Sequence, residues 1–396
     1  MKIVLCHVGG ANLGDAVILR CVKMMVGEIL SGVGKVELVD VEIGKSHPLS
    51  EPERELCGWR AWVLDRLRRH HKKLCAILVW YWSRERADFL RRECRKLRGA
   101  DAVFFVGGGV VKFRHQHLYP YVWEIVTRCR LSRTPVLFNS VGVEGYARED
   151  SRCRFLRDAL NSPCVRMMTT RDDAETLNRD YRTKAKWTAG RVADPDMWTP
   201  EAFGISKSAE RSLVVGLNVI RPEIFKDYLY EVDAGSLTAL YVELVRRLLA
   251  EGHPVELFSN GGMRDGEFID RVMDGLGELR RDPRLTAFRP GTAEELVRRI
   301  AVYDRLLAVR LHAAIIGTSL GVPNVSLVWN RKQLLFGEAI GLSENFLTKD
   351  DFVAETVFVR LMAAKGYVGD AAYKDSVLST LRAGLSSCPA FCPPCS

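Results

Sequence analysis

The stretch Leu306 to Trp329 reads LLAVRLHAAIIGTSLGVPNVSLVW and is followed by Asn330, Arg331 and Lys332. Leu306 to Val309 is an apolar run of the length of a short buried strand. Arg310 and His312 interrupt that run where such a strand ends. Ala313 to Ser319 continues as a small-residue helix, Gly321 and Pro323 stop it, and Asn324 to Trp329 reads as the next buried strand. In an open α/β sheet, ligands gather at the carboxyl ends of the strands, beside the following helix N-terminus. Arg310 and His312 fall at that place, and Lys332 follows the end of the next strand. An Arg-x-His pair is often only structural, but three strongly polar groups at the ends of apolar strands are hard to place in a core. The spacing predicts an anion site that contains an acid.

The rest of the chain fits a soluble globular protein of ordinary size. Its 396 residues allow two domains, and 47% hydrophobic residues supply cores for both. A net charge of +9 favours anionic partners, which include a phosphorylated substrate, an anionic membrane surface and nucleic acid. The N-terminal MKIVLCHVGG lacks the layout of a secretory signal, and the apolar run Leu74 to Trp82 is too short to span a bilayer. Eleven cysteines without framework spacing point to reduced thiols and hence to the cytoplasm. Cys388, Cys392 and Cys395 sit in a Pro-rich tail, 386–396, expected to be disordered.

Lys2 to Val8 reads as a strand, followed by a Gly9 to Asp15 loop and a helix from about Ala16 to Leu30, the opening βα unit of a doubly wound domain. The loop is neither GxGxxG nor a P-loop. Its Asn12 and Asp15 can line a site or simply cap the helix. Ala102 to Val106 is a further buried strand ending in Gly107, Gly108 and Gly109, where backbone must come close to a ligand or to a neighbouring loop. Alternating His115 and His117 lack an evident third metal ligand. Trp59 to Arg98 is strongly basic and rich in Trp and Tyr. Nucleic acid is not expected there, because no recognised binding module accompanies it. A membrane-surface helix or plain solvated helix faces fit it. A polar stretch from Thr199 to Ser212 marks a domain boundary, taken at 205/206. Beyond it a second βα alternation begins with Leu213 to Val219. The expected fold class is α/β, with two Rossmann-like domains (1–205 and 206–385) facing across a cleft.

The segment RLHAAIIGTSLGVPNVSL, the Lys after it and FGEAIGL resemble the C-terminal signature of the polysaccharide pyruvyl transferase family. Further resemblance lies in Asn12-Leu13-Gly14-Asp15, Gly107 to Gly109, Arg171-Asp172, Asp194-Pro195-Asp196 and Arg221 just past a strand. Asn139-Ser140-Val141-Gly142-Val143 departs from the Gly-x-Gly turn usual in the family. The resemblance implies a GT-B-like fold and transfer of the carboxyvinyl group of phosphoenolpyruvate onto two sugar hydroxyls as a pyruvate ketal. No cofactor or metal is required for it, and the partners would be phosphoenolpyruvate and a sugar acceptor, free, nucleotide-linked or lipid-linked; the basic aromatic stretch is compatible with a lipid-linked acceptor at the inner membrane face.

The residues suit that chemistry. A phosphate and a carboxylate call for several cations, and guanidinium groups bind both through paired hydrogen bonds. Arg221, Arg310 and Lys332 are the candidates, with Leu311, Asn12, Gly14, Gly107, Gly108, Gly109 and Arg171 lining the site. His312 is the candidate general acid, since imidazole titrates near working pH. Asp15 and Asp172 are candidates for the carboxylate that accepts hydroxyl protons. Two other readings are a nucleotide-sugar glycosyltransferase of the same architecture and a non-catalytic membrane- or nucleic-acid-associated protein.

Overall fold

The computed structural model describes all residues except 11, 33, 45–58, 69–71, 114–117, 185–187, 206–210, 227–231, 389–390 and 392–396. His115, His117, Cys392 and Cys395 therefore lie outside the described residues, as does part of the expected boundary stretch. The chain packs as two compact units. One comprises Met1–Gly10, Val22–Ala193 and Ser376–Ser396; the other comprises Ala11–Cys21 and Asp194–Asp375. This partition is not a single cut at 205/206. The second unit starts at Asp194 and takes in a short N-terminal segment.

In the first unit the strands are β1 (Lys2–Val8), β2 (Glu37–Ile43), β3 (Ala102–Phe105), β4 (Val111–Lys112), β5 (Val136–Val141), β6 (Val143–Glu144), β7 (Val165–Thr170) and β8 (Gly190–Arg191). Six of them form a sheet in the order β2-β1-β3-β5-β7-β8, and β4 pairs separately with β6. All the pairings are parallel. Parallel sheets are covered on both faces, so their strands read as continuous apolar runs. That is why β3 (AVFF) and β5 (VLFNSV) are buried at every position.

The second unit holds β9 (Val215–Asn218), β10 (Val255–Phe258), β11 (Leu285–Phe288), β12 (Arg305–Ala308), β13 (Asn324–Leu327) and β14 (Phe346–Leu347). These pair in parallel in the order β11-β10-β9-β12-β13-β14. Renumbered within the unit this is 3-2-1-4-5-6, the doubly wound order whose direction reverses between its first and fourth strands. Both units are thus Rossmann-like. The helix after β12 spans Leu311–Ser319 and is buried at all nine positions. A helix sealed on every side has no polar face, which explains its lack of amphipathic periodicity. It starts two residues earlier than the sequence suggested, so His312 sits in its first turn rather than at the strand end. Thr292 caps the helix Ala293–Ala301 as expected, its side chain accepting the Glu295 N–H at 3.2 Å.

At the departure from the family's glycine turn, Ser140 adopts φ 56°, a left-handed conformation that glycine takes more easily. Its N–H donates to Thr169 Oγ1 at 2.9 Å and its hydroxyl donates to Ala193 O at 2.8 Å, so hydrogen bonds hold it there. Ser140→Ala keeps the strain and loses the hydroxyl bond, and is expected to cost about 1–2 kcal/mol in denaturant unfolding. Ser140→Gly relieves the strain as it loses the bond and should fall within about 1 kcal/mol of the parent.

Candidate active site in the second unit

The carboxyl ends of β9 and β12 meet where the strand order reverses, and Asn218 fastens them. Its Oδ1 accepts the backbone N–H of Val309 at 3.3 Å and of Arg310 at 2.9 Å. Its Nδ2 donates to Asn260 Oδ1 at 2.9 Å, which brings in the loop after β10. Asn218 is fully buried, and an amide that pairs on both sides can remain there. Arg310 is thereby set at the entrance of the helix Leu311–Ser319.

The Arg310 guanidinium turns to Asp265 in the first turn of the helix Met263–Gly275, with Nε 3.0 Å and Nη2 2.5 Å from Oδ2. The other oxygen of Asp265 accepts the backbone N–H of Arg221 at 3.0 Å. One buried carboxylate therefore places both arginines. The sequence reading assigned both guanidiniums to a substrate anion, whereas Arg310 already spends two donors on Asp265. The Arg221 side chain lines a cavity of about 440 Å³ together with Arg264, Glu267, Phe268 and Arg271. Asp265, Arg264 and Arg271 were not anticipated; the Ser259 to Gly262 turn after β10, where strand ends collect ligands, was their one signal.

His312 is buried, and its Nδ1 lies 2.7 Å from Asp196 Oδ2. Asp196 is fully buried in the short turn Pro195–Trp198, where Asp194 Oδ1 accepts its N–H at 2.9 Å. Such a carboxylate holds the Nδ1 proton, fixes the tautomer and leaves Nε2 to do chemistry. Asp15 Oδ1 is 4.0 Å from that Nε2. Asp194-Pro195-Asp196 had been singled out in the sequence, but nothing in it paired Asp196 with a histidine 116 positions away.

The N-terminal segment completes this group. Leu13 N–H donates to Asn260 O at 2.9 Å, and Arg20 donates to Ala202 O at 3.0 Å while pairing with Glu294. Asn12 both caps and positions: its Oδ1 accepts Gly14 N–H at 3.3 Å and its Nδ2 donates to Asp15 Oδ2 at 3.1 Å. A Cβ on Gly14 would stand 2.4 Å from His312 Cβ and Cγ, so only glycine lets the imidazole lie there. Lys332 is buried in the first turn of the helix Arg331–Ala339, which Asn330 and Gln333 cap reciprocally. The structure thus gathers Asn12, Gly14, Asp15, Arg221, Arg310, Leu311, His312 and Lys332 in one compact unit.

The remaining candidates belong to the first unit. Asp172 Oδ1 accepts Val143 N–H at 2.7 Å, Asp173 N–H at 2.8 Å and the Thr170 hydroxyl at 3.0 Å, which makes it an organiser of its own loops. Arg171 Nε lies 4.0 Å from Asp172 Oδ2. Gly107 and Gly108 have φ 95° and 69°, and Gly108 O accepts Gly142 N–H at 2.7 Å. The glycine run thus lies against the neighbouring loop that carries Gly142.

Asp194, Asp196 and His312 each offer a ligand atom within 4.8 Å of the others, so this cluster could hold a metal ion. The spacing within it decides how the pair is best described. Two atoms each about 2.1 Å from one ion stand roughly 3 Å or more apart. The 2.7 Å between Nδ1 and Oδ2 is instead the length of a hydrogen bond.

Two parallel α/β units, with polar side chains at the switch point of the second, define the Rossmann-like, GT-B-like class. Solved structures agree. The UDP-GlcNAc 2-epimerase of Methanocaldococcus jannaschii superposes with a TM-score of 0.56 at 10% identity, over 97% of this chain and 99% of that one. The UDP-GlcNAc 2-epimerase of Neisseria meningitidis, bound to UDP-GlcNAc, gives 0.54 at 9% identity, over 96% and 99%. These likenesses establish the fold alone. Comparison of the sequence with curated proteins returns no match. Residues 12–331 match the profile of the family described as "Polysaccharide pyruvyl transferase". The chain belongs to that family, a family of transferases; Lys332 lies one residue beyond the match.

Gly14→Ala should force the His312 ring aside. A destabilisation of about 1–3 kcal/mol is expected on chemical denaturation, with displaced His312 ring signals in NMR spectra. An unshifted imidazole would show that Gly14 is not what makes room for it.

Proposed function

We propose that this protein transfers the carboxyvinyl group of phosphoenolpyruvate onto two hydroxyls of a sugar, in a polysaccharide or its precursor, to form a pyruvate ketal. The observation that carries the reading is the His312–Asp196 pair beside Arg310, at the strand-order reversal of the second sheet, in a chain of this family. In the proposed reaction His312 Nε2 delivers a proton to the methylene carbon of phosphoenolpyruvate. C2 becomes cationic and is attacked by the first hydroxyl. The second hydroxyl then attacks C2, the C2–O bond to phosphate breaks, and inorganic phosphate leaves with the bonding pair. Asp15, 4.0 Å from Nε2, is the carboxylate placed to accept hydroxyl protons and to return one to His312.

The anion is assigned to Arg221 and Lys332, with the donors of Arg310 that do not face Asp265. Positive groups fixed before reaction stabilise charge as it develops on the departing phosphate. Asp265 acts as a brace, holding Arg310 in one orientation and reducing the reorganisation that binding demands. No metal or cofactor enters the proposed steps. The acceptor is a sugar with two hydroxyls close enough to close one ring on C2.

The test is a panel of glycans incubated with phosphoenolpyruvate and scanned by mass for a pyruvate ketal. His312→Ala is expected to keep phosphoenolpyruvate binding and lose turnover about a hundredfold or more. Arg310→Lys keeps the charge but loses the fork that faces Asp265, and should raise the Kd for phosphoenolpyruvate about tenfold. Arg310→Ala would in addition leave buried Asp265 without its cation. Asp196→Asn should lower kcat with little change in KM and flatten the pH profile. Protection against thermal unfolding by UDP-GlcNAc rather than phosphoenolpyruvate would instead favour a nucleotide-sugar enzyme. Normal turnover by both His312→Ala and Arg310→Ala would remove this site from consideration.

A further inference from the structure

Residues 59 to 98 contain thirteen Lys and Arg against four Asp and Glu, a balance of +9. The whole chain also carries +9, from 58 basic and 49 acidic residues, so the other 356 positions hold 45 of each sign and are neutral. The protein's entire charge excess thus falls within forty consecutive residues of the first unit. None of the candidate site residues lies among them.

The same stretch shows the most exposed aromatic surface among the described residues. Trp59 is 64% exposed and Trp62 is 63% exposed, and both stand on the helix Trp59–Arg68. Positions 59, 62 and 66 share one face of that helix, while Leu64 on the other side is buried against the unit. Arg66 lies over the Trp62 ring at 5.5 Å. Arg60 lies 5.7 Å from the rings of both Trp59 and Trp82, which meet edge to face at 5.3 Å. Tyr81, near the end of the adjoining helix Lys72–Trp82, is also exposed. Large rings left in water at this density, in a unit with an ample core of its own, mark an interaction surface.

We propose that the face carrying Trp59, Trp62 and Arg66, with Arg60 beside it at the Trp59–Trp82 pair, docks on the surface of an anionic phospholipid bilayer. Indole prefers the boundary between headgroup and hydrocarbon, where its ring is half dry and its N–H stays wet. Guanidinium groups beside it meet lipid phosphates in the same layer, and a cluster of basic residues adds attraction to an anionic leaflet. Nucleic acid fits less well. Base stacking needs open ring faces, and here Arg60 and Arg66 each occupy an indole face. No helix among the described residues is long and apolar enough to cross a membrane, and the proposed contact is interfacial. It does not depend on the reaction assigned above.

The test is co-sedimentation of the full chain with vesicles of phosphatidylcholine, alone or containing about one-third phosphatidylglycerol. Binding is expected to the anionic vesicles, weakening as salt is raised, with a blue shift of tryptophan emission. Trp59→Ser with Trp62→Ser, and separately Arg60→Ser with Arg66→Ser, should each reduce partitioning about tenfold or more. Arg280→Ser with Arg281→Ser, exposed in the second unit, removes the same charge elsewhere and should leave partitioning unchanged. Circular dichroism checks that each pair folds; if the tryptophan pair fails to, the arginine pair decides. The proposal is overturned by absence of binding to anionic vesicles, by equal losses from the second-unit control, or by patch-dependent binding to single-stranded RNA but not to vesicles.

Discussion

A buried imidazole needs a defined partner, and the placement of His312 turns on the carboxylate that supplies one. Asp196, itself fully buried, sits 2.7 Å from Nδ1. Left in an apolar pocket without that carboxylate, the ring would lose the hydrogen bond that selects its tautomer and its orientation. The surrounding structure is arranged to make the pairing possible. The helix Leu311–Ser319 is sealed in the core, Gly14 clears the volume beside the ring, and Asp194 ties down the turn that carries Asp196.

A second carboxylate performs a parallel service for the cations. Asp265 receives the Arg310 guanidinium on one oxygen and the Arg221 backbone on the other. A buried charge persists when it is paired and hydrogen-bonded, and the pair defines geometry more than it adds stability. The consequence for recognition is that the cationic character of the unit is distributed: Arg221, Arg264 and Arg271 gather around a cavity that also contains Glu223 and Glu267. The first unit is built differently. There the conspicuous Gly107 to Gly109 run and Asp172 serve loop packing, and the charge excess lies on the basic aromatic stretch.

Much of this was legible from residue order. The strand runs before Gly9, Gly107 and Arg310 were visible as continuous apolar segments because parallel strands are covered on both faces. Arg310, His312 and Lys332 stood out because polar residues interrupt those runs only where strands end. Thr292 as a cap followed from local hydrogen-bonding rules. Less legible were Asp265 and Asn218, one a carboxylate in an ordinary amphipathic helix and the other a single amide at the end of an apolar strand. Neither has a local signature, because each acts through its side chain on residues at least 40 positions away.

The sequence by itself determined the α/β alternation, the location of the polar Arg310 to Lys332 segment, and the family, since all three rest on short-range periodicity and contiguous motifs. Only the tertiary structure decided that residues 11–21 pack with the half of the chain that begins at Asp194, that Asp196 partners His312, and that Arg310 is braced by Asp265. The reason is physical. Periodicity reports which face of an element is buried, whereas the choice of hydrogen-bond partner for a buried polar group depends on which distant elements the sheet order brings within about 3 Å of it.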